Sequence, residues 1–435
     1  MKHPTLLLLL GVFSCETTEP PPPIATQIQL RAIDASCTEA WLEISLPDGI
    51  QPGSVSLRRD THLVLSTTLV AAETIVVDEG LLPNRSYTYT STRPTGSYNE
   101  QAETALLTLD TTNHDFLWQT DTLGDGSSVL YDIAIVNDTL AYAVGEMFLR
   151  DSTGQLDPVY YNLAKWNGQQ WNFIRIKSNC RLYFPNCGPE TLAIASGRAI
   201  FSFGPDDIWL AAGGIHHFDG TRWTEHKVVV EVGQSNKIWG SSSSNLWVVG
   251  NNGLIVYYNG NNWQRLESGT TLDVRDIYGA TDSGGQVQIL ALASTFTVQT
   301  QESSILKVTV NSATGIDNSG LSPDMAGIWY VPGRKYYAVG AGVHTKRFLS
   351  DSLWFRYPPG VITSFASGGI RGSDLNNIFA VGSFHEVVHF NGVSWHSYFP
   401  AEPSAYSDIS IYGNTVMIAG HLGAYRGLVM RGYRQ

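Results

Sequence analysis

Apolar and polar positions alternate in short bursts along Asn245–Trp263. Leu246 to Val249 form one apolar run, and Asn251-Asn252-Gly253 breaks it. Leu254 to Tyr258 form a second, Asn259-Gly260 breaks that, and Trp263 opens a third. Val, Trp and Tyr suit a pleated, half-buried surface, while Asn-Gly supplies the positive φ of a tight hairpin. The stretch predicts a β-meander, and most of the chain beyond Thr112 repeats it.

Two elements carry the repetition. The first is an aromatic residue, Asn or Asp, Gly, two further residues and Trp. It occurs at Trp166 to Trp171, Phe218 to Trp223, Tyr258 to Trp263 and Phe390 to Trp395, with a looser copy at Ser350 to Trp354. The second is an apolar run closing on Gly145, Gly213, Gly250, Gly340, Gly382 or Gly420, with Leu290 to Ser294 in the matching place of a degenerate copy. After a long first interval these positions recur about every 37 to 46 residues, the period of one four-stranded propeller blade. The first interval is long because Lys177 to Leu192 is inserted. The count gives seven blades.

The phase predicts how the ring closes. The last copy, Tyr406 to Tyr433, has three strands and lacks the outer one that carries Trp elsewhere. An orphan strand with a Trp, Phe116 to Thr120, stands just before the first copy. Trp118 is therefore expected to complete the seventh blade, leaving no large open sheet edge. The strict period makes inter-blade packing the expected role of Trp171, Trp223, Trp263, Trp354 and Trp395, in preference to a sugar platform. Residues 113–435 resemble the propeller repeats of bacterial surface and exported proteins. That resemblance implies a fold and leaves the function open.

From Thr26 to Thr112 short alternating runs read as strands. Ala40, Leu42, Ile44 and Leu46 alternate with Trp41, Glu43 and Ser45. The segment Gly80-Leu81-Leu82-Pro83-Asn84-Arg85-Ser86-Tyr87 resembles the fibronectin type III corner, where Leu and Pro precede a buried Tyr. Ile44 falls where that family carries its core Trp, and Trp41 falls in the opposite register. The resemblance implies an immunoglobulin-like sandwich over 26–112. Asp78 and Glu79 are neighbours on one strand, so their side chains point to opposite faces and make no acid pair. The module reads as a spacer or contact domain.

Ahead of it, Lys2 and His3 precede an apolar run from Leu6 to Phe13, too short to span a bilayer. Residues 1–14 are read as an export signal. Val12-Phe13-Ser14-Cys15 resembles the lipobox of bacterial lipoproteins, which implies that Cys15 is the lipidated first residue of the mature chain. Residues 15–25 follow as a tether, stiffened by Pro20 to Pro23. The expected location is the cell envelope, anchored to the outer membrane by lipid only.

Composition narrows the partners. A net charge of −12 argues against a nucleic-acid binder, which needs a basic face. Charged residues are only 15% of the chain, against 12 Trp and 42 Gly, as suits an all-β protein. Cys180 and Cys187, close together in the insertion of an exported chain, are expected to form a disulfide, and Cys37 remains as a buried thiol. The histidines lack the tight spacing of a zinc motif, so neither metal nor cofactor is expected. The scattered charges Asp273, Arg275, Arg347 and Arg371 read as solvated. There is no Gly-x-Ser-x-Gly elbow, phosphate loop or Ser-x-Asp-x-Gly-x-x-Trp box, so no catalytic residue is assigned. The expected function is non-catalytic binding of a protein or polysaccharide at one propeller face, first sought at the insertion. The alternative is a glycan-active enzyme of glycoside hydrolase or lyase type, with paired carboxylates at one rim.

Overall fold

The computed structural model describes residues 27–46, 53–179, 192–226, 235–296, 301–364, 368–398, 404–423 and 426–435. Cys15, Cys180 and Cys187 lie outside them, as do the export signal and most of the tether. The described residues form strands and turns, with no helix among them. They belong to two compact units.

The first unit is built on seven strands: β1 (Gln29–Ala35), β2 (Glu39–Ser45), β3 (Ser54–Arg59), β4 (His62–Thr68), β5 (Glu73–Glu79), β6 (Ser86–Pro94) and β7 (Asn99–Leu107). They form two sheets, in the orders β1-β2-β5 and β4-β3-β6-β7. Leu42, Ile44, Val55, Leu57 and Tyr89 are buried, as the alternation requires. Trp41 is buried too, because the start of β2 is covered on both faces. Asp78 is an interior lock: its Oδ2 accepts from Tyr89 Oη at 2.7 Å and from Arg59 Nη1 at 2.8 Å.

The second unit is a β-propeller of seven four-stranded sheets. The inner strands of blades 1 to 7 are Asp125–Asn137, Ala199–Gly204, Ser235–Ser242, Asp273–Thr281, Met325–Val331, Gly369–Asp374 and Ser404–Tyr412. Each packs against the next, and the last packs against the first. Strand β8 (Phe116–Thr122) completes blade 7 by pairing with Arg426–Arg434, placing Trp118 opposite Gly432. Closure is therefore made by the strand that the phase of the repeat singled out. Asp121 of β8 reinforces it, accepting from Arg431 Nε at 2.6 Å and Nη2 at 3.0 Å, and from Trp171 Nε1 of blade 1 at 2.9 Å.

The repeated motif has a local physical cause. In Tyr258 to Trp263, Asn259 Oδ1 accepts the backbone N–H of Asn261 at 3.0 Å and of Asn262 at 2.8 Å. Gly260 takes φ +89°, open to it because it has no Cβ. The turn brings Tyr258 opposite Trp263, their rings stacked at 4.7 Å. Asn167, Asp219 and Asn391 make the same pair of bonds in their own turns. Each copy thus specifies its own outer hairpin, and the stacked pair adds about 0.5–1.5 kcal/mol.

The Gly closing the apolar run answers crowding at Gly145, Gly340 and Gly420. A Cβ on Gly340 would lie 2.1 Å from Asp324 O, so the inner strand can approach only a glycine. In the degenerate fourth blade the register places Ala293, one residue before Ser294, in this position, opposite Val274. Aromatic rings of one inner strand also rest on glycines of the next. The Trp239 ring lies where a Cβ on Gly279 would be, and the Trp329 ring does the same at Gly372.

Candidate functional site: an ion cluster and cavity on the propeller axis

One residue per inner strand sits opposite the residue preceding the recurring Gly. Asp132 faces Val144, Lys237 faces Val249, Asp276 faces Leu292, Gly327 faces Val339, Gly369 faces Val381 and Asp408 faces Ala419. In blade 2 the same position is Arg198, since Ala199 faces Ala211 as Ile133 faces Ala143. Just before this level the ladder slips between Ser235 and Lys237, Val274 and Asp276, Met325 and Gly327, and Tyr406 and Asp408. A bulge at a fixed place bends the strand and re-aims the side chain after it.

Five charged side chains meet there. Lys237 Nζ donates to Asp132 Oδ1 at 2.7 Å and to Asp408 Oδ2 at 2.5 Å, joining blades 3, 1 and 7. Arg371, two residues past Gly369, donates through Nη1 and Nη2 to Asp276 Oδ2 and Oδ1 at 2.8 and 2.7 Å. The aspartates also accept backbone N–H groups. Asp132 takes Ile133 at 2.8 Å and Ile200 at 2.9 Å; Asp276 takes Ile277 and Ile328, both at 2.9 Å. Each such carboxylate therefore binds its own inner strand to that of the next blade.

Three carboxyls thus face two cations. Burial pushes the Asp132 carboxyl well above the usual carboxylate range, against the pull of Lys237. Burial presses on Asp408 as well, but Lys237 and Arg371 outweigh it and hold that carboxyl low. Burial pushes the Lys237 ammonium down, but Asp132 and Asp408 overcome this and raise it.

A cavity of about 330 Å³ lies beside the cluster. Phe201, Trp239, Tyr278 and Ile411 form its walls, and Lys237, Arg371 and Asp408 its charged side. Trp239, Tyr278 and Ile411 come from the later halves of their inner strands. The Lys177–Leu192 insertion joins the ring where inner strands begin, at the other end. The sequence therefore pointed at the opposite face from the one where the cavity lies. It also read Arg371 as solvated, whereas its side chain is only 14% exposed and paired. Arg275 and Asp273 are partly exposed, their closest atoms 3.8 Å apart. The signal in the sequence is a charge directly before Ile in four of the seven blades, 1, 3, 4 and 7: Asp132-Ile133, Lys237-Ile238, Asp276-Ile277 and Asp408-Ile409.

His216 and His217 belong to packing. His217 Nε2 meets Asp207 Oδ1 at 2.8 Å, and the same oxygen accepts from Trp209 Nε1 and Ser243 Oγ. His216 is buried against Ser178 Oγ at 2.8 Å. His385 occupies a turn with φ +63°, ahead of the strand Val387–Phe390, so it does not share a strand face with His389. Among the described residues no group of three or more His, Cys, Asp or Glu is placed to hold a metal.

No family model and no curated protein matches the chain. Solved structures do. A YCF48 protein bound to a D1 peptide is similar with a TM-score of 0.53 and 14% identity, over 75% of this chain and 100% of that one. The WD40 β-propeller domain of Doa1 is similar with a TM-score of 0.50 and 11% identity, over 74% and 98% of the two chains. At such identities the likeness is one of fold, and the fold it supports is the β-propeller.

Proposed function

We propose that this chain is a non-catalytic binding protein of the cell envelope whose propeller receives a protein partner at the axial cavity. The observation that carries the reading is the cavity itself: a recess with aromatic walls on the ring axis, beside charged side chains already paired with one another. Apolar recesses with a few fixed polar groups are where proteins take up ligands. The peptide held by the YCF48 propeller supports a protein as the occupant. The glycan-active alternative needs carboxylates free to act at a rim. Asp132 and Asp408 do converge, but on Lys237 Nζ, and the Asp132 side chain is 1% exposed.

The remaining parts of the reading are the anchor and the spacer. Lipid on Cys15 and the proline tether would hold the folded units at the outer membrane. The two sheets of the first unit, in the orders β1-β2-β5 and β4-β3-β6-β7, support a fibronectin type III-like sandwich acting as a spacer. Fatty-acid labelling that persists in Cys15→Ala would remove the anchor.

The binding test is capture from detergent-solubilised envelope with three baits: wild type, Ile411→Arg and a deletion of residues 180–191. A partner lost with Ile411→Arg and kept by the deletion supports the cavity. A partner kept by Ile411→Arg and lost by the deletion moves the site to the insertion face.

A further inference from the structure

We propose that the propeller is closed by an acid-sensitive histidine clasp, formed by His114 ahead of β8 and His389 of blade 6, which opens the ring seam on acidification. His114 Nδ1 lies 2.9 Å from His389 Nδ1. One nitrogen must donate and the other accept, so the contact holds one proton between two rings.

The partners fix the neutral arrangement. Asn377 Nδ2 donates to Ser373 Oγ at 2.7 Å, which turns Asn377 Oδ1 toward His389 Nε2 at 3.1 Å. His389 Nε2 therefore carries the hydrogen, its Nδ1 accepts, and His114 Nδ1 donates. His114 Nε2 faces Ser394 Oγ at 3.5 Å. His389 is fully buried, stacked on Phe379 at 4.3 Å and edge-on to Phe116 at 5.5 Å. Burial and the neighbouring His114 push its imidazole down to about 3, and burial lowers that of His114 too.

The surroundings offer an added proton little compensation. Arg434, from the C-terminal strand, and His396, from the outer strand of blade 6, both disfavour charge on the pair. Asp115 favours it, at His114 alone. Tyr398 Oη donates to His114 O at 2.7 Å and supplies no acceptor to either ring. A first proton, on His114 Nε2 beside Ser394 Oγ, leaves the clasp in place; a second, on His389 Nδ1, charges a fully buried ring and sets two N–H groups nose to nose. Opening the seam frees both imidazoles to titrate near their ordinary value, so opening takes up protons. The clasp joins the entry to β8, blade 6 and, through Arg434 on Asn377, the C-terminal strand that β8 pairs with. Its loss therefore acts at the seam and leaves the middle blades alone.

The test is amide hydrogen exchange of the full chain between pH 7.5 and 4.5, corrected for intrinsic rates. Peptides covering 116–122 and 426–434 report the seam, and 246–258 in blade 3 is the control. The expected result is a seam-opening constant that rises about tenfold per pH unit below pH 6 for each proton taken up, with blade 3 unchanged. In His114→Asn, whose amide replaces the Nδ1 donor, and in His389→Gln, whose amide replaces the Nε2 donor, one titrating ring is gone and the slope should fall to that of a single proton or less. Should one variant fail to fold, the other decides. A wild-type seam that stays as protected at pH 5 as at pH 7.5, or that opens only in step with blade 3, overturns the clasp. So does an unchanged slope in a folded variant.

Discussion

Arg371 of blade 6 reaches past blade 5 to form a two-pronged pair with Asp276 of blade 4, at 2.7 and 2.8 Å. The reach depends on blade 5 offering Gly327 at this level. A Cβ there would lie 3.1 Å from Gly369 Cα and Ile370 N, and 3.4 Å from Asp276 Oδ2. The glycine and the ion pair form one device, since any side chain at 327 competes for the path of the guanidinium.

Arg371→Met should therefore cost about 3–5 kcal/mol, because it leaves Asp276 charged and buried with only backbone donors. The double variant Arg371→Met, Asp276→Leu should recover much of that loss. Gly327→Ala, a milder intrusion, should cost about 1–3 kcal/mol. Urea unfolding of the four proteins at pH 7 measures all three. A double variant as unstable as Arg371→Met would show that the pair is not the coupled unit described.

Lys237→Met should make stability depend on pH in a defined direction. Asp132 is raised in the folded wild type even with Lys237 beside it. Removing the cation raises the Asp132 carboxyl further and takes away the main pull that holds Asp408 low. A carboxyl whose folded value lies above its unfolded one is most favourable when protonated, and loses stability as pH rises from the unfolded value through the folded one. The gap between wild type and Lys237→Met should therefore widen from pH 4.5 to pH 7.5, read as the difference in urea midpoint. A gap that narrows over this range would contradict the assignment.

What the sequence revealed and what it hid follow the range of the interactions. Asn259, Gly260 and Trp263 act on residues two to five positions away, so their spacing exposes the hairpin, and its recurrence exposes the ring. Trp118 was legible for a related reason: the last repeat lacks one strand and the chain supplies one spare. The ion cluster was not legible, because Asp132, Lys237, Asp276, Arg371 and Asp408 are distant in sequence and meet only when the ring closes. Read singly, each looks like a surface charge. The register before Ile that Asp132, Lys237, Asp276 and Asp408 share is visible only once the blades are aligned, and Arg371 stands outside it. His114 and His389 were hidden the same way, 275 residues apart.

Gly432→Ala should loosen the seam at neutral pH. A Cβ at Gly432 would lie 2.5 Å from the Trp118 ring, which must then move within β8's pairing with the C-terminal strand. A loss of about 1–3 kcal/mol is expected, as for other overpacked sites. Limited proteolysis should show earlier cleavage between residues 108 and 116 than in wild type. Trp118→Ala in the Gly432→Ala background should not add its full separate cost, since the two substitutions act on one contact.

Buried histidines away from the seam should make their own blades, 2 and 5, acid-sensitive as well. His216, against Ser178, and His344, whose Nε2 lies 3.1 Å from Ser322 Oγ, are each pushed down to about 4 by burial. A histidine held below its unfolded value contributes fully above about pH 6.5 and loses that contribution as pH falls toward its folded value. Each group should therefore cost up to about 3 kcal/mol between pH 6.5 and pH 4. His344 Nε2 also accepts the Ser322 backbone N–H at 3.3 Å, so its protonation breaks a bond as well as burying a charge. His344→Gln should lower stability at pH 7 while flattening the fall below pH 6. Thermal midpoints across pH 4 to 8 check this, and a variant whose curve runs parallel to wild type would exclude His344 as a source of the acid sensitivity.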